Sequence, residues 1–284
     1  MRAWTTLARP LGGHFYFRFL TYIYNWSPKQ PRVERFLILL IKRLFGHFWR
    51  ERAVQDDMPA IRPDTPLAVI GDIHGRADLL GAMLPLVPKD YQIVCVGDYI
   101  DRGEHSADVL KMLKARDDIL CLLGNHEDML LRFLDDPEHH GERWLRYGGL
   151  QTLQSFGVSL DHGQGTTKRL LDCRDALRDA MGTDMIDWIR DLPLQWMSGN
   201  VAVVHAAADP TRSLARQEPS VLCWGHPEFL TQPRQDGVWI AYGHTIVDSA
   251  HEAQGRIAVD TGAYATGRLS AALIAPDHID FIRT

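Results

Sequence analysis

The chain has 284 residues, of which 45% are hydrophobic and 24% charged, and this composition is typical of a globular protein with a sizeable core. Its four cysteines form no Cys-x-x-Cys pair, so neither a zinc knuckle nor a disulfide framework is indicated. The early apolar runs are too short to span a bilayer. We therefore expect a cytoplasmic protein without a signal peptide.

The net charge of −5 is unevenly distributed along the chain. Residues 1–50 contain nine Lys or Arg and one acidic residue, a net charge of +8, so residues 51–284 carry −13. Three prolines within residues 58–66 are typical of a linker. We therefore divide the chain into a basic, aromatic-rich N-terminal extension, residues 1–63, and a globular domain, residues 64–284. A nucleic-acid partner is not expected, because the globular domain is acidic.

An amphipathic helix is predicted inside the N-terminal extension. Apolar residues recur there at i, i+3, i+4 and i+7 spacing, and the basic residues lie largely off that stripe. The stripe consists of Val33, Phe36, Leu37, Leu40, Ile41, Leu44, Phe45 and Phe48. Two interpretations stay open. The helix packs on the globular domain or on a partner chain, or it makes a peripheral contact with an anionic membrane through residues 32–50.

The globular domain begins with alternating strand and helix patterns. Short apolar runs ending in glycine predict strands at residues 67–71, 91–97 and 119–124. Helical spacing follows each run, at residues 76–87, 106–116 and 126–134. This order predicts an α/β fold with a βαβαβ core of parallel strands covered by helices. Ligands bind such sheets at the carboxyl ends of the strands.

Each of the three predicted strands ends in a polar cluster, namely "GDIHG" at 71–75, "GDYIDRG" at 97–103 and "GNHE" at 124–127. Two later apolar strands end at His205 and His244. Carboxylate, imidazole and amide ligands without a thiolate suit Mn²⁺, Fe²⁺ or Zn²⁺. Several carboxylates at one sheet edge repel each other unless cations neutralise them, which favours two metal ions. The candidate residues are Asp72, His74, Asp98, Asp101, Arg102, Asn125, His126, Glu127, His205 and His244.

These motifs, in this order, resemble the PPP-type Ser/Thr phosphatases of the calcineurin-like metallophosphoesterase superfamily, and the C-terminal "VDTGAYATGRLSAALI" at 259–274 resembles their bacterial branch. The resemblance covers roughly residues 67–282. It implies a β-sandwich flanked by helices, with two divalent metal ions at the strand ends, Mn²⁺ being favoured over Fe²⁺ or Zn²⁺. The implied ligands of the first ion are Asp72, His74 and Asp98, and those of the second are Asp98, Asn125, His205 and His244.

The resemblance also implies catalytic roles. By this resemblance, the two ions would supply an activated hydroxide to attack phosphorus, and Arg102 would neutralise the phosphate oxygens, which Asn125 and His126 would also bind. His126 protonates the leaving oxygen and Asp101 orients it. Glu127 is expected to cap or orient its neighbours from the start of a helix. Tyr264 is expected to face the site.

Three functions are compatible with these residues. The first is a phosphomonoesterase acting on phosphorylated proteins or small phosphoesters, as a Ser/Thr or dual-specificity protein phosphatase. The alternative is a symmetrical dinucleoside polyphosphate (diadenosine tetraphosphate) hydrolase, a related group that typically lacks the aspartate matching Asp101 and reads GNHD instead of GNHE. A non-catalytic scaffold is disfavoured, because every implied ligand and His126 are present. The phosphatase is therefore favoured.

One position departs from the bacterial pattern. In "VLCWGHPEFL", residues 221–230, His226 stands where a phosphate-holding arginine is expected after Trp224. A neutral imidazole does not replace a permanently charged, bidentate guanidinium. Three options stay open: Arg102 alone holds the phosphate, a protonated His226 helps, or another arginine reaches the site. The other candidate arginines are Arg212, Arg216 and Arg234.

Overall fold

The computed structural model describes residues 58–160 and 166–284 of the chain. The predicted N-terminal helix and the membrane contact through residues 32–50 lie outside the described residues. Within the described ranges, none of the helices is both long and apolar enough to cross a membrane.

The first of two five-stranded sheets contains the predicted βαβαβ core. Its three parallel strands begin the domain, and two C-terminal strands extend it by antiparallel pairing next to β1. Across this sheet the strands are β10 (His278–Arg283), β9 (Ser270–Ala275), β1 (Leu67–Ile70), β2 (Gln92–Cys95) and β3 (Ile119–Cys121).

The second sheet is also mixed. Its three central strands are parallel, and an antiparallel strand closes each edge. Across this sheet the strands are β4 (Gln195–Ser198), β5 (Val201–Val204), β6 (Trp239–Tyr242), β8 (Arg256–Ala258) and β7 (His251–Ala253).

The two sheets pack face to face. Alternate residues of each strand point to opposite sides of a sheet, so one set lies between the sheets and the other set faces away. Val69 of β1 and Val94 of β2 share one apolar cluster with Val203 of β5, which places this core between the sheets. Their neighbours Ile70 and Cys95 belong to a second cluster, formed with the helices on the outer face of the first sheet. The predicted α/β fold, a sandwich flanked by helices, is confirmed.

Nine α-helices cover the described part of the chain: α1 (Ala77–Met83), α2 (Ser106–Lys114), α3 (Asn125–Asp135), α4 (Pro137–Trp144), α5 (Leu150–Ser155), α6 (Thr166–Met181), α7 (Thr183–Arg190), α8 (Pro219–Trp224) and α9 (Ala263–Thr266). The helix predicted at 76–87 ends earlier, at Met83, and continues as a 3₁₀ turn, Leu84–Leu86. Pro85 explains the change, because proline lacks the N–H that an α-helix interior needs. A π-helical turn, Leu145–Gly149, joins α4 to α5.

Candidate active site

The predicted site residues converge where strands of both sheets end. Asp72 and His74 follow β1, Asp98 follows β2, and Asn125 begins α3 after β3. His205 and His244 follow β5 and β6 of the second sheet. Most of these polar side chains are buried, with exposed fractions of 0–6%: Asp72, His74, Asp98, Asp101, Asn125, His126 and His205.

The backbone is unusual at this place. Among the described residues, seven non-glycine residues have positive φ, and five of them are predicted site residues. A positive φ is strained for a residue with a Cβ, and such strain clusters at functional sites. The five residues are His74, Asp98, Asp101, Arg102 and His244.

The first histidine of the site is fixed in one tautomer. Nδ1 of His74 lies 2.8 Å from the carbonyl oxygen of Ile100 and donates to it. Burial lowers the pKa of His74 to about 3, so the ring is neutral and its Nε2 carries a lone pair. That lone pair faces Oδ2 of Asp98 at 3.5 Å and accepts from Nη1 of Arg102 at 3.0 Å.

His205 has the same arrangement on the other side of Asp98. Its Nδ1 lies 3.1 Å from the carbonyl oxygen of Val96, and burial lowers its pKa to about 4. A neutral ring that donates through Nδ1 presents a lone pair at Nε2. This Nε2 lies 2.9 Å from Oδ1 of Asn125 and 3.4 Å from Oδ1 of Asp98. Three acceptor atoms therefore face one another.

Facing acceptors repel unless a cation lies among them, so the donor set fits a metal site. His244 adds a fourth group, because its Nδ1 lies 2.9 Å from Oδ1 of Asn125. Two sets of metal-ligating atoms have their members within 4.8 Å of one another, and Asp98 belongs to both sets. The sets are Asp98, His205 and His244, and His74, Asp98 and His126; the second contains His126, the expected proton donor, and neither contains Asp72, an expected ligand. A shared carboxylate between two sets is the arrangement that two neighbouring cations need.

The charge of Asp98 depends on its neighbours. Burial by itself raises the pKa of Asp98, but the surrounding His205, His126 and His74 outweigh it and bring that pKa below its usual range. The side chain therefore stays ionised, as a shared metal ligand must. Its Oδ1 also accepts a hydrogen bond of 3.0 Å from the backbone N–H of His126.

Asp72 faces the same cluster. Both of its carboxylate oxygens lie 3.1 Å from the backbone N–H of His244. Burial raises the pKa of Asp72 well above its usual value, and the nearby charges of Asp260 and Asp98 raise it further. Three carboxylates thus share one buried site, which is unfavourable without cations. The neighbouring Gly243 keeps this space open, because a Cβ there would lie 2.1 Å from Oδ1 of Asp72.

His126 and Asp101 form a buried pair. Nδ1 of His126 donates to Oδ2 of Asp101 over 2.7 Å. In the described part of the chain, Nε2 of His126 is buried without a hydrogen-bond partner, so the pair directs an unsatisfied nitrogen into the site. Two further donors hold Asp101, namely Oγ1 of Thr152 at 2.6 Å from Oδ1 and Nε1 of Trp144 at 3.1 Å from Oδ2.

Arg102 is the guanidinium that reaches the cluster. Its Cζ lies 4.7 Å from the ring centre of Tyr264, whose ring also contacts that of His74 edge to face. Tyr264 therefore contacts two of the predicted site residues, Arg102 and His74. Two of the other candidate arginines have partners elsewhere: Arg212 pairs with Glu218, and Arg234 pairs with Asp236. His226 is half-buried, with Nε2 3.8 Å from Oδ2 of Asp209.

Glu127 has the structural role that the sequence indicated. Its two carboxylate oxygens accept hydrogen bonds from four backbone N–H groups. Those groups belong to Asp98, Tyr99, Ile100 and Gly124. Glu127 therefore ties the loop after β2 to the start of α3, and so fixes Asp98 relative to Asn125.

Sequence reasoning missed three residues around the site. Asp260 is buried and follows β8. Asp72 and Asp98 also follow strands, so the same signal could have identified Asp260 from the sequence. Trp144 and Thr152 hold Asp101 but lie 43 and 51 positions away in the chain. No spacing rule connects residues so far apart, because their contact depends on how α4 and α5 pack.

Comparison with known proteins identifies the class. Residues 65–248 match the profile of the calcineurin-like phosphoesterases. The chain belongs to this family, and with its clustered histidine and aspartate ligands it is a metal-dependent phosphoesterase. The resemblance inferred from the motifs is confirmed.

Individual relatives fall into two functional groups. Serine/threonine-protein phosphatase 2 of Escherichia coli is 29% identical over 222 residues, which are 71% of this chain and 89% of that protein. A symmetrical bis(5'-nucleosyl)-tetraphosphatase of Aromatoleum aromaticum is also 29% identical, but over 152 residues, which are 51% of this chain and 46% of that protein.

Solved structures share the fold. A candidate diadenosine tetraphosphatase superposes with a TM-score of 0.55 and 20% identity, covering 78% of this chain and 94% of that one. A mutant of a cold-active protein tyrosine phosphatase gives 0.54 and 17% identity, covering 79% of this chain and 82% of that one. At sequence identities of 20% and 17%, these similarities show a shared fold and nothing about activity.

Proposed function

We propose that the protein is a Ser/Thr protein phosphatase with two divalent metal ions, of which Mn²⁺ is the favoured identity. Asp72, His74 and Asp98 would hold one ion, while Asp98, Asn125, His205 and His244 would hold the other. The ions, when bound, activate water and neutralise charge on the phosphate. The support for this assignment is the cluster of facing acceptor atoms around Asp98.

The chain's own residues bind and protonate the substrate. Arg102 presents a guanidinium without a carboxylate partner among the described residues, and it binds the phosphate oxygens together with Asn125. His126 donates a proton from Nε2 to the leaving oxygen, and Asp101 holds the ring in the orientation that this transfer needs.

The His126–Asp101 pair is our reason for proposing a protein phosphatase and not a tetraphosphatase. Burial lowers the pKa of His126, whereas the hydrogen bond of 2.7 Å with Asp101 raises it and so favours the protonated ring. A serine or threonine alkoxide is a poor leaving group and needs such a proton donor. A nucleotide phosphate leaves as a stable anion and needs one far less.

A substrate comparison tests this proposal. The full chain, loaded with Mn²⁺, is assayed on a phosphoserine peptide, a phosphotyrosine peptide, p-nitrophenyl phosphate and diadenosine tetraphosphate. We expect the phosphoserine peptide to have a higher kcat/KM than diadenosine tetraphosphate. A clear preference for diadenosine tetraphosphate would overturn the protein phosphatase and favour the second group of relatives.

A further inference from the structure

A groove of about 190 Å³ lies beside the candidate active site and is not explained by the chemistry above. It is formed by the side chains of two helices and by the end of a third. Its walls are Met129 and Arg132 from α3, His140 and Arg143 from α4, and Trp224 from α8.

The groove follows the helix that begins at the active site. Asn125 is the first residue of α3, Met129 lies one turn later on the same face, and Arg132 lies about two turns later. At a rise of 1.5 Å per residue, Arg132 is roughly 10 Å along the helix from Asn125. An extended peptide covers that distance in about three residues.

The groove is basic although the domain is acidic. Two guanidiniums and an imidazole line it, while Asp128 at its edge bonds both Nε of Arg132, at 2.9 Å, and Nε1 of Trp224, at 3.0 Å. Arg143 has no carboxylate within 4.0 Å among the described residues. Arg143 therefore gives the groove a positive charge that no neighbouring carboxylate in the described part of the chain neutralises, within a region, residues 51–284, whose net charge is −13.

The guanidinium of Arg143 is also held in position. Its Cζ lies 4.9 Å from the ring centre of Trp224 and 5.9 Å from that of Tyr147. Trp224 is itself anchored by its hydrogen bond to Asp128. Stacking on an aromatic face leaves the N–H groups at the edge of a guanidinium free to bind a carboxylate in a bidentate way.

We propose that this groove binds an acidic side chain of the substrate, located about three residues from the phosphorylated residue, with Arg143 as its main contact. The inference rests on the proposed protein phosphatase activity. The size of the groove agrees with a single side chain, because its volume is below the roughly 300 Å³ at which pockets for larger ligands begin. Arg143 supplies the complementary charge, since Arg132 is already paired with Asp128.

Matched phosphopeptides test the inference on the full, Mn²⁺-loaded chain. Each peptide carries one phosphoserine, and glutamate is compared with glutamine at the third position on either side of it. We expect the glutamate peptide to have a roughly tenfold higher kcat/KM on one of the two sides, as for a charged hydrogen bond. In the Arg143→Gln variant the ratio should fall to near one, while turnover of p-nitrophenyl phosphate stays unchanged.

Arg146→Gln is the matched control, because Arg146 is an exposed arginine of the neighbouring turn that does not line the groove. This variant should keep the full preference. Equal kcat/KM for the glutamate and glutamine peptides on both sides, or a preference that survives in Arg143→Gln, would overturn the inference alone. Hydrolysis of p-nitrophenyl phosphate without hydrolysis of any phosphopeptide would instead reject the protein phosphatase, and this inference with it.

Discussion

Nδ1 of His126 lies 2.7 Å from Oδ2 of Asp101, and both side chains are almost completely buried. The carboxylate fixes the tautomer, because the bonded Nδ1 must be the nitrogen that donates to it. Nε2 is left as the nitrogen that faces the site. This is the arrangement that the proposed role of His126 as a general acid requires.

Replacing His126 by asparagine should lower kcat by roughly 10²–10⁴-fold on a phosphoserine peptide, because the leaving alkoxide then departs without a proton donor. The loss should be smaller on p-nitrophenyl phosphate, whose leaving group is a weaker base. Metal content, measured by elemental analysis, should match that of the parent protein. An equal loss on both substrates would mean that His126 has a different task.

Thr152→Val should remove one of the hydrogen bonds that hold the carboxylate of Asp101 in place. The hydroxyl of Thr152 donates to Oδ1 over 2.6 Å, and its loss leaves that buried oxygen with a weaker set of donors. We expect the free energy of unfolding to fall by about 1–3 kcal/mol, measured by urea denaturation, with reduced kcat. Thr152→Ser keeps the hydroxyl and should retain most of the kcat. If valine and serine behave alike, the hydroxyl is not what matters.

Gly243→Ala should impair metal binding. The added Cβ would lie 2.1 Å from Oδ1 of Asp72, so that carboxylate has to move. We expect less metal per chain after dialysis against Mn²⁺, together with lower activity. Gly81→Ala in α1 is the matched control, because its Cβ meets nothing closer than 3.9 Å and alanine favours a helix. Full metal content in Gly243→Ala would contradict the assignment of Asp72.

Chelation should abolish hydrolysis of p-nitrophenyl phosphate, because the ligands around Asp98 act only through bound cations. Activity should return on addition of Mn²⁺, Fe²⁺ or Zn²⁺, and Mn²⁺ should restore the most. Isothermal titration of Mn²⁺ into the stripped protein should give a stoichiometry of about two per chain, as for a two-metal site. Full activity of the stripped protein would reject the metal centre.

Protonation of His74 and His205 should act against folding of the metal-free protein as the pH falls from about 6.5 towards 4. The folded pKa values of His74, about 3, and His205, about 4, lie below the roughly 6.5 of an unfolded histidine. Within that window these two histidines bind protons in the unfolded chain and not in the folded one, so their contribution to stability falls with the pH, whereas the raised pKa values of Asp72, Glu127 (about 8) and Asp260 (about 6) act in the opposite direction. Each histidine contributes at most about 1.4 kcal/mol per pH unit.

Urea denaturation in chelator at pH 7, 6 and 5 measures this slope. The His205→Gln variant lacks one of the two histidines, so its stability relative to that of the parent should rise as the pH falls over the same range. Identical slopes for the parent and the variant would show that His205 is not a source of the acid sensitivity.

The sequence alone determined the class of fold and most of the candidate site. Apolar runs, helical spacing and glycine-bounded strand ends are local features, so they place Asp72, Asp98 and Asn125 at one sheet edge without a structure. The role of Glu127 at the start of a helix could be anticipated in the same way. The motif order was specific enough to indicate the family.

Only the tertiary structure decided how distant segments meet. His205 contacts Asn125 across 80 positions of the chain, because the second sheet packs on the first with its strand ends at the same place. Trp144 and Thr152 reach Asp101 because α4 and α5 pack beside the loop after β2. Likewise, the groove at Arg143 arises from the packing of α3, α4 and α8. Such contacts depend on the packing of whole elements, which short-range sequence patterns do not encode.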